Sequence, residues 1–319
     1  MAEDTRSRTS AKAASGAVGL VLAAIAIVFV ARTLLRDWDQ IADALEQAQP
    51  GWLVTATLIA AVGMVAIAVP WRRALHLVGG DLPLGQTVAR YFVGEIGKYV
   101  PGGVWPILGR GALARRHGVR RLAAYGSVAL SLVALYLAAM FVVVATLPAL
   151  LAGDDGTGPV AVVLLLPVGL IALHPRVLGA ALRFVERATK RHVDLPLPSW
   201  RDSAVLVCLY VPAWIAIGTA TWVVARALDP GAELLPVGAA AVLSWVVGFV
   251  LVPVPGGVGV REAAFVAAAG SLDPGIAAAT AVAARAAFVV VDAVGAGLGA
   301  LALRRSGDEL QPEWTEETE

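Results

Sequence analysis

The chain has 319 residues, 58% of them hydrophobic and only 15% charged, with 25 Lys and Arg against 24 Asp and Glu. Its mean hydropathy of +0.76 excludes a soluble domain whose outside faces water. An all-α, polytopic integral membrane protein remains, with no nucleic-acid partner expected.

A helix crossing the roughly 30 Å hydrocarbon layer needs about 20 mostly apolar residues. The first such run, 16–35, follows Arg6, Arg8 and Lys12. Signal peptides share that arrangement, but no small-residue cleavage site precedes Asp37, so the run reads as a retained helix. In 37–48, Trp38, Ile41 and Leu45 share one helical face and Asp39, Asp43 and Glu46 the other, as in a helix lying flat at the interface. The second span is 52–70. From Gln86 to Val100 a helix reaches about 22 Å, past mid-membrane but short of crossing. Pro101-Gly102-Gly103 breaks it, and Val104–Arg116 returns as far as Gly118. Further spans are expected at 122–150, 158–174, 203–228 and 276–303; the span at 158–174 is short and carries Pro167. A basic amphipathic helix, 176–190, presents Arg176, Arg183, Arg187 and Lys190 on one face. Pro236–Pro253 enters, Pro255-Gly256-Gly257 breaks it, Val258–Gly270 returns, and Asp273-Pro274 caps the last span. The tail, 306–319, is acidic and reads as disordered.

Shifting the sequence by 154 residues lays Val100–Val104 on Val254–Val258, both Val-Pro-Gly-Gly-Val, with Gly94 on Gly248 and Leu122 on Ile276. The order of elements matches too, which defines halves 15–150 and 158–305 of one membrane domain, 1–319. With both termini cytoplasmic, seventeen of the 25 basic residues fall inside, as the positive-inside rule asks. Three spans per half is an odd number, so six full spans plus two re-entrant helical hairpins form an inverted repeat in the cell membrane. Broken helices at matching places in two halves point to a transport site.

Arg90, Lys98, Arg110, Arg261 and Arg285 stand at apparent membrane depth with Glu95, Glu262 and Asp292. Unpaired and facing lipid, eight charges would cost on the order of 20 kcal/mol, so they pair or line water. A purely structural reading pairs Arg90 with Glu95, Arg261 with Glu262 and Arg285 with Asp292. The net positive balance, beside Pro-Gly-Gly turns whose returning helices aim their amino termini inward, favours a phosphate or carboxylate site. Gly295, Gly297 and Gly299 read as a helix-packing face, and Trp38, Trp52, Trp71 and Trp200 as interfacial anchors. Trp105, Trp214 and Trp245 line a cavity or fill the core. The lone Cys208 and the scattered His76, His117, His174 and His192 offer no metal-ligand spacing, and no cofactor is expected.

The segments GKYVPGGVWP (Gly97–Pro106) and PVPGGVGVREA (Pro253–Ala263) resemble the signature motifs of the lysylphosphatidylglycerol synthase transmembrane family. That family includes the flippase domain of the bacterial multiple peptide resistance factor, and the resemblance covers roughly residues 15 to 305. It implies a polytopic fold with re-entrant helices that moves a lipid or lipid-linked headgroup between leaflets. Its central residues would be Lys98, Pro101, Gly102, Gly103, Pro255, Gly256, Gly257, Arg261 and Glu262. The soluble aminoacyl-transferase domain of the fused members is absent, so synthesis of lysylated lipid is not expected. The leading reading is a lipid flippase or transporter, not an enzyme, whose partner is an anionic membrane lipid or a polyprenyl-phosphate-linked headgroup. Two alternatives stay open: an integral membrane transferase acting on a lipid-linked donor, with Glu95 or Glu262 as general base, and a scaffold for an envelope glycosyltransferase. A homo-oligomer or a partner from envelope biosynthesis is compatible with each.

Overall fold

The computed structural model describes residues 50–99, 104–151, 195–250 and 259–306, with scattered positions between 171 and 187. The regular structure among them is helical. In chain order it comprises α1 (Pro50–Leu77), α2 (Leu84–Glu95) with one 3-10 turn (Ile96–Tyr99), α3 (Trp105–Arg115), α4 (Arg121–Leu151), α5 (Trp200–Leu228), α6 (Leu234–Val250), α7 (Val260–Ala268) and α8 (Pro274–Arg305). Among the described residues α1, α4, α5 and α8 are long and apolar enough to cross a membrane, where spans were expected at 52–70, 122–150, 203–228 and 276–303. The expected span at 16–35, the acidic helix at 37–48, the span at 158–174 apart from Ile171 and His174, and the acidic tail beyond Ser306 lie outside the described residues. Of the basic helix, 176–180, 183 and 187 are described; they are helical, and Arg183 and Arg187 are exposed.

The caps follow from local sequence. Ser199 opens α5 by accepting from the Asp202 amide through Oγ, and Asp273 opens α8 by accepting from the Gly275 amide at 2.9 Å, with Pro274 in the first turn. Gly118, expected to stop the returning arm, follows α3 at φ +84°, where a side chain would be strained.

α1 and α5 pack as an antiparallel pair. Arg73 meets Asp202 at 2.9 Å at one end, Gly63 lies against Ala216 and Ile217 midway, and Ala56 packs with Val223 and Val224 at the other end. The α2–α3 hairpin begins and finishes at the Arg73 end, where a Cβ on Gly80 would lie 3.1 Å from Val119. The α6–α7 hairpin begins and finishes at the Ala56 end, where Leu228 and Ile276 share one apolar cluster. α2 packs on α8 and α6 on α4, so each hairpin rests on the long helix of the opposite half.

Trp71 departs from expectation. Rather than anchoring at an interface it is fully buried, and its Nε1 donates to Ser127 Oγ at 3.1 Å. The reason is that α1 runs through Pro70 and on to Leu77, carrying Trp71 into the core. The polar end of the helix shifts to Arg72, whose Nε donates to the Leu82 carbonyl, and to His76, whose Nε2 lies 3.1 Å from Asp81. Trp52 and Trp200 are exposed, as expected of anchors.

Candidate functional site

On α2, Tyr91 and Gly94 are three residues apart, and α6 repeats the spacing with Trp245 and Gly248, each 154 positions on. In both halves an arginine from the returning helix crosses the glycine and sets its guanidinium against the aromatic ring. A Cβ on Gly94 would lie 2.6 Å from Cγ of Arg110, whose guanidinium is 5.2 Å from the Tyr91 ring and 6.0 Å from that of Trp71. A Cβ on Gly248 would collide with Cγ of Arg261, whose guanidinium stacks 3.5 Å over the Trp245 ring. Only glycine lets the stem pass this close to the helix backbone. A desolvated cation–π contact of this kind contributes about 2 kcal/mol.

The other charges pair across the molecule. Lys98, on the 3-10 turn, reaches Asp292 of α8 at 2.7 Å and Glu95 at 3.4 Å. The Tyr99 hydroxyl donates to the same Asp292 oxygen at 2.6 Å, while the second oxygen, Oδ1, is buried without a partner among the described residues. Glu262 of α7 pairs with Arg285 of α8 through Oε1, and its Oε2 is likewise buried without a partner. The pairs expected from sequence neighbours, Arg90 with Glu95, Arg261 with Glu262 and Arg285 with Asp292, are therefore replaced by Lys98 with Glu95 and Asp292, and Arg285 with Glu262. Adjacent residues such as Arg261 and Glu262 point in different directions, and Arg90–Glu95 and Arg285–Asp292 are spaced wider than the three or four positions that meet on one helix face, as Lys98 and Glu95 do.

Arg90 stands apart from this cluster. Fully buried, it donates from Nε to the Leu113 carbonyl at 2.9 Å and from NH1 to Gln86 Oε1 at 2.9 Å. It staples α2 to the last turn of α3, where free carbonyls attract a cation. Lys98, Glu95, Asp292, Arg261, Glu262 and Arg285 come together; Arg110 lies on the first half's own ring pair. Pro101, Gly102, Gly103, Pro255, Gly256 and Gly257 lie outside the described residues.

Trp245 joins the groups. Lys98 of the first hairpin approaches its ring to 6.0 Å while Arg261 of the second covers it. Phe288 and Trp214 meet it edge to face at 5.3 and 5.9 Å. A cleft of about 20 Å³, enough for one water, opens between Trp245, Ser244, Arg261, Glu262, Arg285 and Phe288. Among the described residues neither Arg110 nor Arg261 has a carboxylate partner, and Arg261 Nε is buried without one of any kind. Sequence reasoning assigned Trp245 only to a cavity or the core and missed Tyr91 and Tyr99. The aromatic-x-x-Gly spacing, repeated at the shift of 154, is the signal that reveals the two rings.

The family model for the lysylphosphatidylglycerol synthase TM region matches residues 16–296. The chain belongs to this family. The matched segment includes both Val-Pro-Gly-Gly-Val motifs and every charged group of the cluster up to Asp292. No curated protein matches the chain. Family membership and the four long apolar helices make this a multi-pass membrane protein of a lipid-related family.

Proposed function

We propose that this family member is a lipid flippase, moving an anionic phospholipid or a polyprenyl-phosphate-linked headgroup between leaflets through the cluster around Trp245. The observation that carries the reading is Arg261: a guanidinium spread on an aromatic wall, facing a cleft, with Nε buried and without a partner among the described residues. A half-buried cation whose Nε is shut away from solvent gains from an anion that reaches it, and a guanidinium matches the geometry of phosphate.

The two hairpins are read as re-entrant, one from each face of the bilayer, in an inverted repeat with the α5–α6 loop outside and both termini cytoplasmic. Their departure from opposite ends of the α1–α5 pair supports this. A cleft with room for one water admits a headgroup only when its walls separate. Rocking of one half against the other supplies that motion, and the Lys98–Asp292 pair, which joins the first hairpin to the last span, is the contact it must break. The chain acts on its lipid without chemical change.

The test is protein reconstituted in vesicles with an NBD-labelled anionic phospholipid, followed by dithionite quenching. Active protein raises the quenched fraction above that of empty vesicles, and Arg261→Gln, which removes charge-assisted hydrogen bonds, lowers the rate about tenfold or more. Wild-type protein indistinguishable from empty vesicles, with labelled phospholipid and with a polyprenyl phosphate alike, sinks the reading.

A further inference from the structure

The two hairpins do not rest on their opposite spans in the same way. Where α2 meets α8 the seam is shut: a Cβ on Gly299 would lie 2.7 Å from the Ala89 carbonyl oxygen, and one on Gly295 would strike the Phe92 ring. Moved back by 154 positions, Gly295 and Gly299 become Phe141 and Ala145 on α4. Phe141 is 39% exposed, so it stands at the surface of α4 where its counterpart Gly295 is packed against Phe92. α6 also approaches α5 closely, where a Cβ on Gly218 would lie 3.0 Å from the Gly238 carbonyl oxygen.

A groove of about 120 Å³ lies between α4, α5 and α6. Val142 and Thr146 of α4, Trp214 and Gly218 of α5, and Leu235 and Val242 of α6 form its walls. The lining is almost wholly apolar, since the Thr146 hydroxyl is spent on the Val142 carbonyl of its own helix at 2.8 Å. Its volume approaches the roughly 150 Å³ of an apolar cavity that takes up benzene. The mouth is marked by Ile215, 57% exposed on a helix long and apolar enough to cross the membrane, and Leu235, 60% exposed on the shorter apolar α6, so lipid tails can reach it. The inner end is Trp214, which meets Trp245 edge to face, and Trp245 carries Arg261 on its ring.

We propose that this groove holds an acyl chain of the lipid whose phosphate is read by Arg261, and that it admits lipid from the leaflet beside the α5–α6 loop. The inference rests on the flippase reading and adds to it a tail site and a side. Trp214 and Trp245 form the partition between tail and headgroup, with the groove and the cleft on neighbouring faces of α6. The shut α2–α8 seam is the counterpart for the other leaflet.

The experiment uses full-length protein in nanodiscs containing phosphatidylglycerol with a diazirine on one acyl chain, followed by photolysis and peptide mapping. Labelling is expected on α4, α5 and α6, at least fivefold above that on α1, α2 and α8. Val142→Phe and Thr219→Phe fill the groove from two different helices and are expected to lower it severalfold. Equal labelling of both seams in the wild type overturns the proposal, as does undiminished labelling in a folded groove-filling variant. The wild-type map alone decides if neither variant folds. Vesicle transport by wild-type protein separates the two claims: lipid that moves without labelling the groove removes the tail site only, whereas lipid that does not move removes the flippase reading beneath it.

Discussion

The two hairpins share one construction, an aromatic ring, a glycine one turn later and an arginine laid across it, yet their arginines have different surroundings. Arg110 is 2% exposed between Tyr91 and Trp71, where the α1 core closes over it. Arg261 lies on the wall of a cleft with its Nε without a partner among the described residues. The same motif is thus closed in by packing in one half and borders a cleft in the other, where the proposed function has it bind. What decides between them is the neighbouring helices rather than the motif itself.

The strongest way to break the comparison is at the link between the halves. Lys98→Met should cost about 3–5 kcal/mol by stranding the Asp292 and Glu95 charges, and Asp292→Asn less, since Lys98 keeps Glu95 at 3.4 Å. The double variant should recover part of that loss, with a coupling of about 1–3 kcal/mol; a double variant as unstable in detergent as the sum of the singles would show that the pair does not join the halves.

The glycines separate packing from binding. Gly94→Ala brings its Cβ 2.9 Å from the Arg110 backbone nitrogen, which cannot yield, so melting in detergent should reveal a loss of about 1–3 kcal/mol. Gly248→Ala meets only side-chain atoms of Arg261, so the stem swings away. Transport should then fall as far as in Arg261→Gln while stability changes by less than about 1 kcal/mol. Equal destabilisation by both alanines would erase the distinction. The smallest effect is expected on α8, where a Cβ on Gly297 meets nothing within 4 Å. Gly297→Ala should stabilise by up to about 1 kcal/mol through helix propensity, whereas Gly299→Ala, facing the Ala89 carbonyl, should destabilise; thermal shift resolves the two signs.

Four long apolar helices stand where composition and hydrophobic runs put them, and the charged residues flagged by their membrane depth include all six that gather around Trp245. Their pairing was not legible. Tyr99 and Asp292 are 193 positions apart, and only the exchange of hairpins between halves brings them together. Arg110 escapes the repeat because it sits one helical turn out of register with Arg261: moved by 154 it falls on Ala264. Trp71 was misplaced because a proline after an apolar run resembles a helix end, yet α1 accommodates Pro70 and continues.

The exchange has a consequence for assembly. With α2 resting on α8 and α6 on α4, a half-length chain expressed alone would leave its hairpin without a seat and its long helix α4 or α8 bare. It becomes whole only beside the other half, which the proposed inverted repeat would thread through the bilayer in the opposite sense. Joining both on one polypeptide fixes their stoichiometry at one of each.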